Sequence, residues 1–141
     1  MNNAISITFG SPEHGWLPVD FRYSNFHINF DASDALNDQI KELSDVVNGS
    51  LDNQCRRITW HLEPAAYFFD IQRIEWTIIL TIVETKYLHD ENDNGRTLTT
   101  ITADEKEIIE PFRAAVNQFY SQTYKGENWP YSLGNNKVGN S

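Results

Sequence analysis

Apolar and polar positions alternate along most of the first hundred residues, and that period of two predicts strands. Ile5, Ile7 and Phe9 alternate with Ser6 and Thr8, a half-buried strand that ends at Gly10. Ser11-Pro12-Glu13-His14-Gly15 is a loop by its Pro and Gly. Residues 16–23 and 26–30 form a hairpin across Ser24-Asn25, with Phe26, Ile28 and Phe30 on one face and His27 and Asn29 on the other. A second hairpin, residues 56–62 and 67–73, turns at Glu63-Pro64-Ala65-Ala66. In that register Leu62 faces Tyr67, Trp60 faces Phe69 and Ile58 faces Ile71, one apolar face. The opposite face carries Arg57, Thr59, His61 and Glu63 beside Phe68, Asp70 and Gln72. A strand from Trp76 to about Leu88 follows; it is apolar on both faces through Val83 and so belongs at the centre of a sheet. Residues 89–95 form a polar loop with Asn94-Gly95 as its turn, and residues 96–101 return as a Thr-rich strand.

The period becomes helical twice. Leu36, Ile40, Leu43 and Val47 make one apolar stripe and predict a helix over about 33–48, with Asp34, Asp38, Glu42 and Asp45 mostly off the stripe. Asp31 or Ser33 caps its start and Asn48-Gly49 supplies a left-handed stop. Thr102-Ala103-Asp104-Glu105 reads as a capping box for a helix over about 103–122. Its inward side is Ile108, Ile109, Phe112, Ala115, Val116, Phe119 and Tyr120, and Pro111 kinks it or marks its true start. The fold class is α+β: a mostly antiparallel sheet of about six to seven strands with two main helices. Residues 1–124 make one domain, without internal repeat, and 125–141 a tail that docks through Trp129 and Tyr131 and is mobile at its end.

Composition narrows the class. The 141 residues are 40% hydrophobic and 13% aromatic, enough for a core without a disulfide or metal. The single cysteine, Cys55, excludes an intramolecular disulfide framework and a Cys-rich zinc site. Met1-Asn2-Asn3-Ala4 has no basic region followed by an apolar one, so no signal peptide is expected, the location is read as cytoplasmic, and the sequon Asn48-Gly49-Ser50 is discounted. The longest strongly apolar run, residues 76–83, is too short to cross a bilayer.

Charge says more. The formal net charge is -9 and it is uneven: residues 1–54 carry -6, 55–83 none, 84–110 carry -5 and 111–141 carry +2. Such a chain repels phosphate backbones and anionic lipid, so neither nucleic acid nor membrane is an expected partner. Two acidic sections serve solubility, or they meet a basic partner and speed its capture.

Candidate chemistry is sparse. His61 and Glu63, two apart on a strand, share a face, with Asp70 on the partner strand and Arg57 diagonal to it. A histidine between carboxylates suits a general base, although no Ser or Cys nucleophile and no Gly-rich anion cradle accompany it, and charge pairs of this kind commonly decorate a solvated sheet face. Asp90-Glu91-Asn92-Asp93-Asn94-Gly95 matches the start of a calcium loop, then fails at its twelfth position, Ile101, where a bidentate Glu is needed. His14, His27 and His89 have no metal-ligand spacing, and no metal or cofactor is expected. Arg56 and Arg57 could depress the Cys55 pKa, but a buried, inert thiol is the simpler expectation.

Size, acidic balance, Trp60-His61-Leu62-Glu63-Pro64 between aromatic strands and Glu110-Pro111-Phe112-Arg113 on the last helix together resemble the immunity proteins encoded beside bacterial polymorphic and contact-dependent inhibition toxins. The resemblance implies a non-catalytic protein that binds a cognate toxin, often a nuclease with a basic cleft, and blocks it. The contact is then expected on Asp90, Glu91 and Asp93, helped by Asp34, Asp38, Glu42 and Asp45 as exposed acids. The alternatives are a small hydrolase using His61, Glu63 and Asp70, or a structural subunit that forms a homodimer through its aromatic sheet face.

Overall fold

The computed structural model describes residues 4–49, 51, 54–88, 90, 92 and 95–131. The fold is α+β, with seven strands and two helices in the order β1 (Ser6–Phe9), β2 (Trp16–Tyr23), β3 (Phe26–Ser33), α1 (Gln39–Asn48), β4 (Cys55–His61), β5 (Ala66–Ile74), β6 (Thr77–Thr85), β7 (Arg96–Ala103) and α2 (Glu105–Tyr120). The strands divide into two antiparallel sheets, β1-β2-β3 and β4-β5-β6-β7, where the sequence suggests one. The division has a local cause. β3 and β4 run close together, but at Thr59 the edge of β4 that would pair with β3 is already occupied. Asn37 Nδ2 donates to the Thr59 carbonyl at 3.1 Å, and the Thr59 N–H donates to the Glu42 carboxylate. Side chains from the start of α1 thus take the bonds a neighbouring strand would have taken.

Both sheets and both helices share one core. Leu17, Val19 and Phe21 from β2 face Ile58 and Trp60 from β4, Phe69 and Ile71 from β5, and Phe112 and Val116 from α2. Phe21 is the hub: its ring centroid lies 5.4 Å from Phe69 and 6.3 Å from Phe112. Trp60, fully buried, bridges the sheets through Phe30 at 5.9 Å and Phe69 at 5.6 Å. Trp129 is fully buried against Phe119, and the Tyr131 hydroxyl donates to the Asp34 carbonyl at 2.6 Å, so the chain after α2 packs onto the body as far as residue 131. The expected mobile end of the tail lies outside the described residues.

Several boundaries differ from the sequence reading. The β4–β5 turn is Leu62–Ala65, closed by a Leu62 N–H to Ala65 carbonyl bond of 2.7 Å, one residue earlier than expected. Trp60 therefore faces Tyr67 and Ile58 faces Phe69, a register shift of two. Because side chains alternate with period two, a shift of two keeps every residue on its assigned face.

α1 begins at Gln39 with Asp38 as its cap, the carboxylate accepting from Lys41 N–H at 3.1 Å. Asp31 and Ser33 belong to β3 instead, Leu36 is exposed, and fully buried Gln39 donates to the Ser33 carbonyl at 2.8 Å. Gly49 is extended (φ -105°), not left-handed. In α2 the capping box is Asp104 with Glu107, two residues later than expected, because β7 continues to Ala103. The helix runs on through Pro111. Trp76 sits in the β5–β6 turn beside Glu75 (φ 56°) and is 86% exposed, so β6 starts one residue later than the apolar run suggests.

Candidate acidic interface

Four acids of the first acidic section surround the start of α1. Each has a local job before it has any partner. Asp38 caps the helix. Asp34 donates its N–H to the Gly15 carbonyl at 2.9 Å, and its carboxylate lies where a side chain on Gly15 would stand. Gly15 has φ +84°, so glycine is required there on two counts. Glu42 is half-buried; it accepts from Asn37 Nδ2 at 3.0 Å and from the Thr59 amide. Asp45 is exposed and accepts from Lys41 Nζ at 3.0 Å, a surface pair of small energetic weight. The expectation of four freely exposed acids is therefore corrected. Asp45 is open, Asp34, Asp38 and Glu42 are partly covered, and Glu42 is committed to the edge of β4.

The acids nonetheless share one field. Burial pushes the Asp34 carboxyl up, and the charge of Glu63 adds to the shift. Burial pushes Glu42 up; bonds from Asn37 and Thr59 oppose the shift, while Asp38 and Asp45 reinforce it. Burial raises the phenols of Tyr120 and Tyr131, and the first also feels Asp38 and Asp45, the second Asp34 and Asp38. Like charges raise one another in this way only when they are close.

The β4–β5 turn then brings the start of the second acidic section towards the first. Glu63, at the tip of that turn, bears on Asp34. The next residue, Pro64, accepts a 2.8 Å bond from Leu88 N–H and so holds the start of the β6–β7 loop against the turn. Asp90 is exposed on that loop, its carboxylate accepting from Asn92 N–H at 2.9 Å. An open groove beside it is lined by Glu84, Lys86, Asp90, Asn92, Gly95 and Arg96, and Arg96 donates to Glu84 at 2.9 Å. Glu91 and Asp93, also expected at the contact, lie outside the described residues, as does His89. The calcium reading is not supported by the flanks: they are β6 and β7, and Ile101 at the twelfth position is core.

His61, Glu63 and Asp70 are not brought together. His61 is buried on β4 opposite Ala66. Glu63 has left the strand for the turn (φ 59°) and is exposed, so the shared strand face does not exist. Asp70 lies four residues along β5 from Ala66, about 13 Å at the rise of a strand. It is taken by Arg57 in a two-pronged pair of 2.7 and 2.9 Å, directly opposite rather than diagonal, and Arg57 also lies 4.0 Å over the Phe68 ring. The geometry expected of a general base and its carboxylate partners is absent from these three residues.

Cys55 is exposed, against the expectation of a buried thiol. Its pKa is raised by partial burial and by Asp70, with Arg57 only opposing, so the two arginines do not depress it. Among the described residues no group of three His, Cys, Asp or Glu side chains could hold a metal ion. No described helix is long and apolar enough to cross a membrane.

Two surface features were not read from the sequence. On the outer face of β2 and β3, Asp20 accepts from Arg22 Nε at 3.0 Å and lies 2.7 Å from His27 Nε2; these bonds hold its carboxyl below the usual carboxylate range. Alternation already placed His27 outward, but only the register, Arg22 opposite His27, brings Asp20 within reach. The second is the exposed Trp76, hidden in the sequence inside an apolar run. No family model, curated protein or solved structure matches this chain.

Proposed function

We propose that this chain is a non-catalytic binding protein, an immunity protein of the kind that neutralises a cognate bacterial toxin in the cytoplasm by covering it with an acidic surface. A toxin with a basic, phosphate-holding cleft, such as a nuclease, is the class of partner this surface fits. One observation carries the reading. One acid from each acidic section is drawn towards the β4–β5 turn, Asp34 through Glu63 and the loop of Asp90 through the bond of Leu88 to Pro64. Folding gathers part of that charge at one end, while Asp104 and Glu105 of the second section lie at the other end of the sheet beside Arg73 and Trp76. Acids placed only for solubility gain nothing from mutual repulsion, whereas a convergent field attracts and orients a basic partner.

The test is a pull-down from the source organism, followed by binding kinetics on the recovered basic protein. Asp38→Asn, Asp45→Asn and Asp90→Asn are combined in one variant; asparagine caps a helix as well as aspartate, so α1 is preserved. Glu42 is left intact because β4 depends on it. The expected result is an association rate lower by about tenfold or more in the variant, with the difference vanishing at high salt. Tight binding indifferent both to salt and to the three substitutions would refute the electrostatic mechanism.

A further inference from the structure

The two edges of the four-stranded sheet are treated differently. The edge of β4 is closed by Asn37 and Glu42, which bond both backbone groups of Thr59. The edge of β7 has no strand beside it, and among the described residues no side chain bonds its backbone. α2 packs on β1 and β6 and leaves this edge uncovered. Residues 97–103 contain no charged residue and no proline, although the chain as a whole carries -9. Edge strands are ordinarily blunted by lysine, proline or an inward charge. The one irregularity, a bulge opposite Ile82 and Val83, lies towards Arg96 and leaves Thr99–Ala103 paired regularly with β6. Thr97, Thr100 and Thr102 are exposed, a side-chain type that suits cross-strand pairing.

We propose that β7 pairs antiparallel with β7 of a second copy of this chain about a two-fold axis at Thr100, joining two four-stranded sheets into one. Charge selects both occupant and register. With Thr100 opposite itself, Arg96 of each copy, beyond the Leu98 bulge, comes alongside the extended cap residue Asp104 of the other, an opposite-sign pair at each end of the interface. A shift by two residues one way carries Arg96 past the end of β7 to a position already inside α2, and the other way sets it against Thr102, which offers no charge. The Arg96 side chain is 75% exposed and so is free to reach across while still touching Glu84. The self-paired strand shares Arg96 with the groove beside Asp90, whereas Thr100 at its centre lies outside that groove, so substitutions at Thr100 test the dimer separately from the toxin reading.

The test is sedimentation equilibrium of the purified protein at several concentrations and salt levels, with a cross-linking arm. Opposed residues across an antiparallel pair have Cα atoms about 4.5–5.5 Å apart, within disulfide range. Thr100→Cys in a Cys55→Ala background therefore forms a covalent dimer under mild oxidation, whereas Ile74→Cys in the same background, exposed at the far turn, does not. Thr100→Lys sets two like charges face to face and weakens the dimer by about fivefold or more, with the fold kept as judged by circular dichroism. Two copies of net charge -9 repel, so the dimer tightens with added salt, opposite in sign to capture of a basic partner. A protein that stays at 16.3 kDa up to near-millimolar concentration overturns the proposal. So does a dimer that Thr100→Lys leaves intact and Thr100→Cys does not trap, since it uses another surface. A monomer in which Thr100→Lys abolishes binding of a foreign protein also overturns it, assigning the edge to that partner's strand.

Discussion

Glu42 offers a direct test of how the sheet is divided, because two substitutions there give opposite outcomes. Glu42→Ala removes the acceptor for the Thr59 amide and for Asn37 Nδ2 in a half-buried site. An amide left without a partner costs about 1–3 kcal/mol. For a chain of 141 residues, at about 3 °C per kcal/mol, that is a fall of about 3–9 °C in Tm. Glu42→Gln keeps an acceptor oxygen but never carries charge. Burial is the largest cause of the raised Glu42 pKa, and it outweighs the bonds that favour the carboxylate. The carboxyl therefore holds its proton more readily in the fold than in the unfolded chain. That proton contributes stability which is full below the unfolded pKa and is lost as pH rises through the raised, folded one. At pH 7 the wild-type charge is carried at a cost, so Glu42→Gln is expected to be as stable as wild type or more so, and the advantage shrinks to nothing near pH 4. Thermal unfolding followed by circular dichroism at both pH values measures this. If Glu42→Gln is destabilised at pH 7 as much as Glu42→Ala, the charge itself is required and the argument from burial is wrong. If Glu42→Ala stays within about 0.5 kcal/mol of wild type, the edge of β4 does not depend on this clamp.

Three further outcomes follow from the packing. Phe112→Ala empties a fully buried site between Phe21 and Phe69 and is expected to cost about 3–5 kcal/mol in urea unfolding; a loss under 1 kcal/mol would mean the helix does not seal the core. Gly15→Ala must hold φ +84° with a new carbon 2.7 Å from an Asp34 oxygen, so a loss above about 1 kcal/mol, read as a fall of about 3 °C or more in Tm, is expected, and an unchanged Tm would show that Asp34 moves freely. Trp76→Ala should leave stability within about 0.5 kcal/mol, because the side chain is 86% exposed, while removing the most solvent-exposed tryptophan emission; a large loss would show that this ring is packed.

The faces of the strands were legible in the sequence, and the reason is arithmetic. A period of two survives any register error of two, so Trp60, Phe69 and Ile71 were assigned inward and Arg57 and Asp70 outward although their partners were wrong by two residues. The inward set of α2 was legible in the same way, and the burial of Ile108, Ile109, Phe112, Val116 and Phe119 follows it. Helix starts were less legible. Asp and Ser at several neighbouring positions are equally good caps, and the extension of β3 to Ser33 and of β7 to Ala103 decided which one served.

What the sequence alone determined is the class: an acidic α+β chain whose strands and helices bury one face each, because apolar spacing follows the period of the backbone. Only the tertiary structure decided what sits beside what. It moved Glu63 off the face of His61, gave Asp70 to Arg57, and spent Glu42 on the edge of β4. It also brought Asp34, Glu63 and the loop of Asp90 to one end, around the β4–β5 turn. Periodicity is a property of one segment at a time. Convergence of charge depends on how segments far apart in the chain pack, and local spacing carries no record of that.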